Sequence, residues 1–131
     1  MTKKSIIPKI TALLTAVELE MMSVIWRIGP CSVAQVRELL LPQRALAYTS
    51  ISTIVRILEQ KGYVTSQKQG RGHLYSAAVS KQVYQAMSLK QLVSTVFEDT
   101  PSILVQRLLE SGSLTPEELA QIKALLRGKK H

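Results

Sequence analysis

The pattern over residues 46–63 constrains the fold most, because its apolar and polar residues separate at helical spacing. One stripe follows the i, i+3, i+4, i+7 spacing and must face a core: Ile51, Ile54, Val55 and Leu58. The opposite side carries short polar side chains and one cation: Thr49, Thr53, Arg56 and Gln60. Hydroxyls ahead of an Arg are suited to base edges and phosphates, whereas an ordinary amphipathic surface helix shows the same periodicity.

A β-hairpin is predicted directly after this helix. Gly62 is placed to end the helix in a left-handed cap, and two alternating runs then surround the Gly-rich segment 70–72. Lys68 and Arg71 flank its tip. Helix, helix, helix, hairpin is the order of a winged helix-turn-helix, in which the hairpin is the wing; the alternative is a stabilising hairpin with solvated charges.

The charge balance favours a nucleic-acid partner. The chain has 17 Lys and Arg against 9 Asp and Glu, a formal net charge of +8, and such an excess favours phosphate contact through counterion release. Over residues 44–81 the only acid is Glu59, against these cations: Arg44, Arg56, Lys61, Lys68, Arg71 and Lys81. We therefore expect the third helix and the wing to carry the positive field towards double-stranded DNA.

Other classes of protein fit the sequence poorly. No apolar run approaches the roughly 20 residues of a membrane helix, and the start lacks a signal-peptide pattern, so we expect a cytoplasmic protein. Cys31, the single cysteine, allows no internal disulfide and is expected in a turn. His73 and His131 have no partner spacing for a metal or a catalytic triad. We expect no enzyme activity, cofactor, metal or small-molecule ligand.

Capping signals divide the N-terminal part. Thr15 and Glu18 form a capping box that opens a helix running to Gly29. Its predicted inner face consists of Leu19, Met22, Ile25 and Trp26. Ser32 opens a second, shorter helix that buries Val36 with Leu39 or Leu40 and stops near Pro42. With the third helix and the hairpin, these form a predicted DNA-binding domain over residues 1–79.

Three more helices are predicted in a second domain, residues 80–131. Ser80 caps one that runs to about Glu98, Thr100-Pro101 starts one closed by Gly112, and a capping box at Thr115 starts the last. Their apolar residues exceed what a lone appendage buries, so we expect dimerisation through Val93, Val96, Phe97, Leu104, Leu108, Leu109, Leu119, Ile122 and Leu125. The alternative is folding back onto the winged helix. The fold class is mainly α with a small β-hairpin.

Nearly the whole chain resembles the penicillinase and methicillin-resistance repressors, the BlaI/MecI type with a copper-responsive CopY branch. The matching motifs are Leu14-Thr15, Glu18-Leu19-Glu20-Met21-Met22, Ile25-Trp26, Gly29-Pro30, Ser32-Val33, Val36, Leu46-Ala47-Tyr48-Thr49-Ser50, Thr53-Ile54, Lys61-Gly62-Tyr63, Gly70-Arg71 and Tyr75-Ser76. The resemblance implies a homodimer on a palindromic operator, with a winged helix of each subunit in the major groove and repression by promoter occlusion.

The resemblance and the charge pattern together define a candidate DNA-binding set: Tyr48, Thr49, Ser50, Ser52, Thr53, Arg56, Lys68 and Arg71. Family members commonly have Arg at the position of Ile57, whereas this chain has Arg56. One position moves the charge by about 100° around a helix. The operator sequence of relatives therefore does not transfer.

For induction, the resemblance implies a membrane sensor metalloprotease and cleavage within the dimerisation helices. The corresponding region lies near Arg107 and Leu108, where the residue pair differs from that associated with cleavage. Metal induction of the copper branch needs closely spaced C-terminal cysteines, and the sequence has none after Cys31. Two other functions stay open: a winged-helix protein-interaction module and a non-specific DNA-binding protein. Charge reversal at Lys68 and Arg71 separates the first from a DNA binder.

Overall fold

The computed structural model describes residues 13–40 and 44–128. Its elements are α1 (Ala16–Ile28), α2 (Val33–Leu40), α3 (Tyr48–Gln60), β1 (Val64–Gln69), β2 (Gly72–Ala77), α4 (Lys81–Val96), α5 (Pro101–Glu110) and α6 (Pro116–Gly128). The predicted class, mainly α with one antiparallel hairpin, is confirmed. The chain divides into two compact units, one ending at Ala86 and one beginning at Met87. The functional boundary after residue 79 stays a prediction.

Helix α1 begins with the predicted capping box. The Glu18 amide donates to Thr15 Oγ1 at 3.2 Å, and the Thr15 amide donates to Glu18 Oε1 at 2.9 Å. Its buried face differs from the predicted one, because Leu19 is 37% exposed while Glu18 points inward. The apolar residues that α1 buries are Met21, Met22, Val24 and Ile25. Leu19 lies about 100° from Glu18 around the helix, at the edge of this buried face.

Helix α2 and the segment before it complete the first helical pair. The amides and side chains of Ser32 and Gln35 exchange hydrogen bonds of 2.9 and 3.2 Å, the predicted cap. Leu40 is buried and Leu39 is exposed, which decides between the two candidates; Pro42 lies outside the described residues. Cys31 is not a turn residue. It forms a β-bridge with Tyr75 through two backbone hydrogen bonds of 3.0 and 2.8 Å, and burial raises the pKa of its thiol.

The wing, β1 and β2, is confirmed with its turn at Gly70 and Arg71. Gly70 has φ +61°, a left-handed conformation that favours glycine at this turn. Residues 64–69 pair with residues 77–72 in antiparallel register. The core of this unit joins α1, α2, α3, the wing and the start of α4, with partly buried Trp26 packed against it. Trp26 Nε1 donates to the Val79 carbonyl at 2.8 Å and so fixes the end of the wing.

A partly buried ion pair connects α1 to the end of α3. Lys61 Nζ lies 3.0 and 2.9 Å from the two carboxylate oxygens of Glu18, a residue only 7% exposed. Burial by itself raises the pKa of Glu18, but the hydrogen bonds from Thr15 and Lys61 outweigh it and hold the pKa below its usual 4.5. The carboxylate therefore stays charged inside the fold.

The second unit contains the rest of α4 together with α5 and α6. Thr115 and Glu118 form the predicted capping box of α6, with two reciprocal hydrogen bonds of 3.0 Å. Thr100 precedes α5 at the N-cap position, but its hydroxyl donates to the Glu98 carbonyl instead of capping the helix. No side chain is buried in residues 87–128. Within the described residues, none of the helices has the length and apolar character needed to cross a membrane.

We predict that acid destabilises the protein through Glu18. Because the folded-state pKa is lowered, this stabilisation is complete above the unfolded-state pKa near 4.5 and is lost as pH falls through the folded-state value. Glu18→Gln should lower the free energy of unfolding at about pH 7 by about 1–3 kcal/mol and flatten its acid dependence. Urea unfolding over a pH series measures both effects.

Glu118→Gln is the matched control, because Glu118 has the same capping role at an exposed position and no ion-pair partner among the described residues. We expect it to leave the acid dependence intact. An equal response of the two variants would show that the Lys61 pair contributes nothing.

Candidate nucleic-acid interface

Helix α3 turns its polar face away from the core. Ile51, Val55 and Leu58 are fully buried, which anchors the helix and leaves the other face in solvent. That face exposes Tyr48, Thr49, Ser50, Thr53 and Arg56, while Ser52 is half-buried. The structure therefore brings together on one surface all six residues of this helix that belong to the candidate set.

Two bonds within the helix orient its polar side chains. The Thr53 hydroxyl donates to the Thr49 carbonyl at 2.9 Å, and Arg56 Nη2 donates to Ser52 Oγ at 3.2 Å. Thr53 is thereby left as an acceptor towards a ligand, and Arg56 keeps its remaining N–H donors for acceptor atoms. Thr53 offers an acceptor and Arg56 offers donors, so we expect the two side chains to contact different groups of a ligand.

The wing presents one face to α3. Ser66 pairs with Tyr75 and Lys68 pairs with His73, and alternation along the strands places all four side chains on the same face. Ser66 Oγ donates to Glu59 Oε2 at 2.6 Å, so this face is directed at α3. Lys68 therefore projects from the side of the wing nearest the polar face of α3, with exposed Arg71 at the tip.

Among the described residues, fewer cations remain without an ion-pair partner than the sequence indicates. Arg44 binds the Glu20 carboxylate through two bonds of 2.6 and 2.8 Å, and Lys61 is paired with Glu18. Glu20 has a lowered pKa because of its hydrogen bonds with Arg44. Among the described residues, Arg56, Lys68, Arg71 and Lys81 have no ion-pair partner. The positive field that the sequence indicates for six cations of residues 44–81 therefore comes from these four.

Sequence reasoning also missed Arg37. Its Nε donates to the Leu46 carbonyl at 3.0 Å, which links α2 to the residues just before α3. Arg37 thereby helps to fix where α3 starts relative to α2. A lone Arg on the outer face of a short helix gives no sequence signal for such a contact, because the acceptor is a backbone atom nine residues away.

The helices, the wing and the exposed polar face of α3 define a winged helix-turn-helix protein. The sequence model of the penicillinase repressor family matches residues 14–128. The chain therefore belongs to the penicillinase repressor family, a family of transcriptional repressors.

Individual relatives have low sequence identity to this chain, but the full-length relatives match over most of its length. The penicillinase repressor of Bacillus licheniformis is 25% identical over 114 residues, which cover 87% of this chain and 89% of the relative. The methicillin resistance regulatory protein MecI of Mammaliicoccus sciuri is 22% identical over 116 residues, covering 88% and 94%. The solution structure of the DNA-binding domain of the repressor BlaI has 27% identity and a TM-score of 0.49, covering 54% of this chain and 87% of that domain.

We predict that Thr53→Ala and Arg56→Ala each weaken binding to a specific DNA site, by about 1–3 kcal/mol where the residue contacts a base. Arg56→Ala should also reduce the salt dependence, because it removes a charge, whereas Thr53→Ala should not. Fluorescence anisotropy with operator DNA over a salt series measures both quantities.

Gln60→Ala, at the far end of the same exposed face, is the control. Unchanged affinity in both variants would remove these residues from the interface.

Proposed function

We propose that this protein is a dimeric, sequence-specific DNA-binding repressor that acts in the cytoplasm and occupies a palindromic operator. The observation that carries the proposal is the single surface formed by the exposed polar face of α3 and the cationic wing beside it. Family membership supports the repressor function. A protein-interaction module would not need unpaired cations on the wing.

On DNA, α3 fits the major groove. The base-reading residues are Tyr48, Thr49, Ser50, Ser52, Thr53 and Arg56, all at or near the solvent side of the helix. Lys68 and Arg71 on the wing then reach the phosphate backbone. The division of work follows the general rule that phosphate contacts position a protein while base contacts specify the sequence.

The second unit supplies the dimer interface in this proposal. Its three helices leave large apolar side chains in solvent, including Val96 at 59%, Leu109 at 53% and Leu125 at 70% exposure. The remaining members of the proposed interface are half-buried or marginally exposed: Val93, Phe97, Leu104, Leu108, Leu119 and Ile122. Adjacent apolar side chains on exposed helix faces favour association with a second copy.

We further propose that repression is relieved by cleavage in α5, under the control of a membrane sensor metalloprotease. Arg107 and Leu108 lie inside α5, and Arg107 pairs with Glu110 at 2.9 Å on the surface. A peptide bond within a helix is accessible to a protease only after local unfolding. Cleavage here would therefore require α5 to open first and would separate the dimerisation helices.

Selection of bound duplexes from a randomised pool, at near-physiological salt, tests the proposed function. A palindromic winner, bound roughly a thousandfold more tightly than scrambled DNA, with half-sites about one helical turn or a multiple apart, is the expected result. Sequence-blind binding would support a DNA-coating protein instead. Absence of DNA binding would favour a protein-interaction module.

We predict that Leu108→Glu dissociates the dimer. Wild-type protein should sediment at twice the 14.6 kDa chain mass at micromolar concentration, whereas the variant should sediment as a monomer because a buried charge opposes association. The variant should also lose the preference for a full palindrome over a half-site.

Leu19→Glu is the matched control, because Leu19 is 37% and Leu108 39% exposed within one chain. We expect Leu19→Glu to remain dimeric. A Leu108→Glu protein that sediments like wild type would exclude this face of α5 from the interface.

A further inference from the structure

A polar cleft of about 240 Å³ lies between the start of α2, the start of α3 and the wing. Hydroxyls, an imidazole and a guanidinium line it, from Ser32, Tyr48, Ser52, Arg71, His73 and Tyr75. No acidic residue belongs to its described lining. The cleft is therefore rich in donors and has one cationic residue, Arg71, in its lining, and its volume is below the usual range for a drug-sized ligand.

Tyr75 is the most unusual residue of the cleft. It is only 8% exposed, and its backbone is fixed by two hydrogen bonds with Cys31. Its hydroxyl makes no hydrogen bond with any residue of 13–40 or 44–128. A hydroxyl on the wall of a cleft, with no partner among the described residues, can donate to whatever occupies the cleft, and a phenylalanine would lack this donor.

The Tyr75 hydroxyl keeps its proton and can donate. Burial raises its pKa, Glu59 adds to the shift and Arg56 opposes it. No hydrogen bond joins the Tyr75 hydroxyl to Glu59 among the described residues; Glu59 Oε2 accepts from Ser66 Oγ at 2.6 Å. The donor is therefore available to a ligand in the cleft.

Other donors surround the same space. Ser52 Oγ accepts from Arg56, which leaves the hydroxyl hydrogen of Ser52 to donate. Tyr48 is 51% exposed. The imidazole of His73 lies 6.2 Å from the ring of Tyr75, centroid to centroid. Several hydroxyl donors beside one guanidinium suit a group with many acceptor oxygens and a compact negative charge.

We propose that this cleft binds a phosphate group, with Tyr75 as its buried hydrogen-bond donor. The cleft opens between α3 and the wing, which together form the proposed DNA-binding surface. This inference rests on the proposed function, under which the phosphate is a backbone phosphodiester of bound DNA. A free phosphate ion or monoester offers the same chemistry. The experiment separates these two sources.

Tyr75→Phe tests the proposal, because it removes only the hydroxyl and keeps the ring and the backbone bridge to Cys31. We expect affinity for operator and for scrambled DNA to fall by the same factor, roughly tenfold or more. The slope of affinity against salt should stay unchanged, since no charge is lost, whereas Arg71→Gln should reduce it by about 1. The melting temperature of Tyr75→Phe should stay close to that of wild type, because the substitution breaks no hydrogen bond among the described residues.

Tyr84→Phe is the matched control. Tyr84 is 7% exposed, and its hydroxyl accepts a hydrogen bond from the Leu14 amide at 3.0 Å. Removal of this hydroxyl should lower stability and leave DNA affinity unchanged, the opposite of the result expected for Tyr75. Equal losses of DNA affinity in both variants would show a general structural effect and overturn the proposal.

Two further measurements identify the source of the phosphate. With a backbone phosphodiester, a symmetric pair of neutral methylphosphonates, one in each half-site, is moved along the duplex. At one such pair of positions, wild type and Tyr75→Phe should bind with the same affinity. With free phosphate, DNA affinity should not respond to Tyr75→Phe, but inorganic phosphate should shift the NMR signals of the His73 imidazole in wild type more than in the variant. Chloride at equal ionic strength is the control.

Failure of this proposal is distinguishable from failure of the proposed function. Wild-type protein that binds no DNA would refute the proposed function. The phosphate titration alone would then test whether the cleft binds phosphate. Tyr75→Phe that matches wild type in DNA affinity and in the phosphate titration would overturn the phosphate site.

Discussion

The carboxylate of Glu18 joins the start of α1 to the end of α3 in the first unit. Glu18 accepts the Thr15 amide that begins α1 and also binds Lys61, the residue at which α3 ends. A carboxylate at 7% exposure is tolerated only when its oxygens are satisfied, since an unpaired buried charge is strongly unfavourable. The requirement ties the end of α3 to the start of α1. It thereby limits how the end of α3 can move, while the buried stripe of Ile51, Val55 and Leu58 determines which face meets solvent.

The same pair changes how the net charge of +8 should be interpreted. Lys61 and Arg44 belong to ion pairs within the fold, so their charges are largely neutralised locally. Arg56 and Lys68, which have no ion-pair partner among the described residues, lie on α3 and on the face of the wing that is directed at α3. A polyanion would therefore be oriented by a few localised charges, because separated surface charges are screened beyond about 10 Å.

Local signals predicted the elements well, and tertiary contacts account for the errors. The capping residues Thr15, Ser32 and Thr115 marked helix starts because their bonds span three residues. Leu19 was misplaced because Glu18 faces inward to meet a lysine 43 residues away. Tyr75 matched a family motif, but the sequence alone assigned it no role in the interface. Its position depends on a backbone bridge to Cys31, and backbone pairing leaves little trace in side-chain patterns.

The second unit poses a problem that association would solve. Helix α5 has 10 residues and α6 has 13, and isolated helices below about 12–15 residues are marginal in water. No side chain is buried in residues 87–128, and the most covered apolar side chains are half-buried, so packing within this unit stabilises the helices only in part. In the proposed dimer, the apolar faces of these helices gain the burial they lack. Dimerisation and helix stability would then be coupled, and a single cut in α5 would weaken both together.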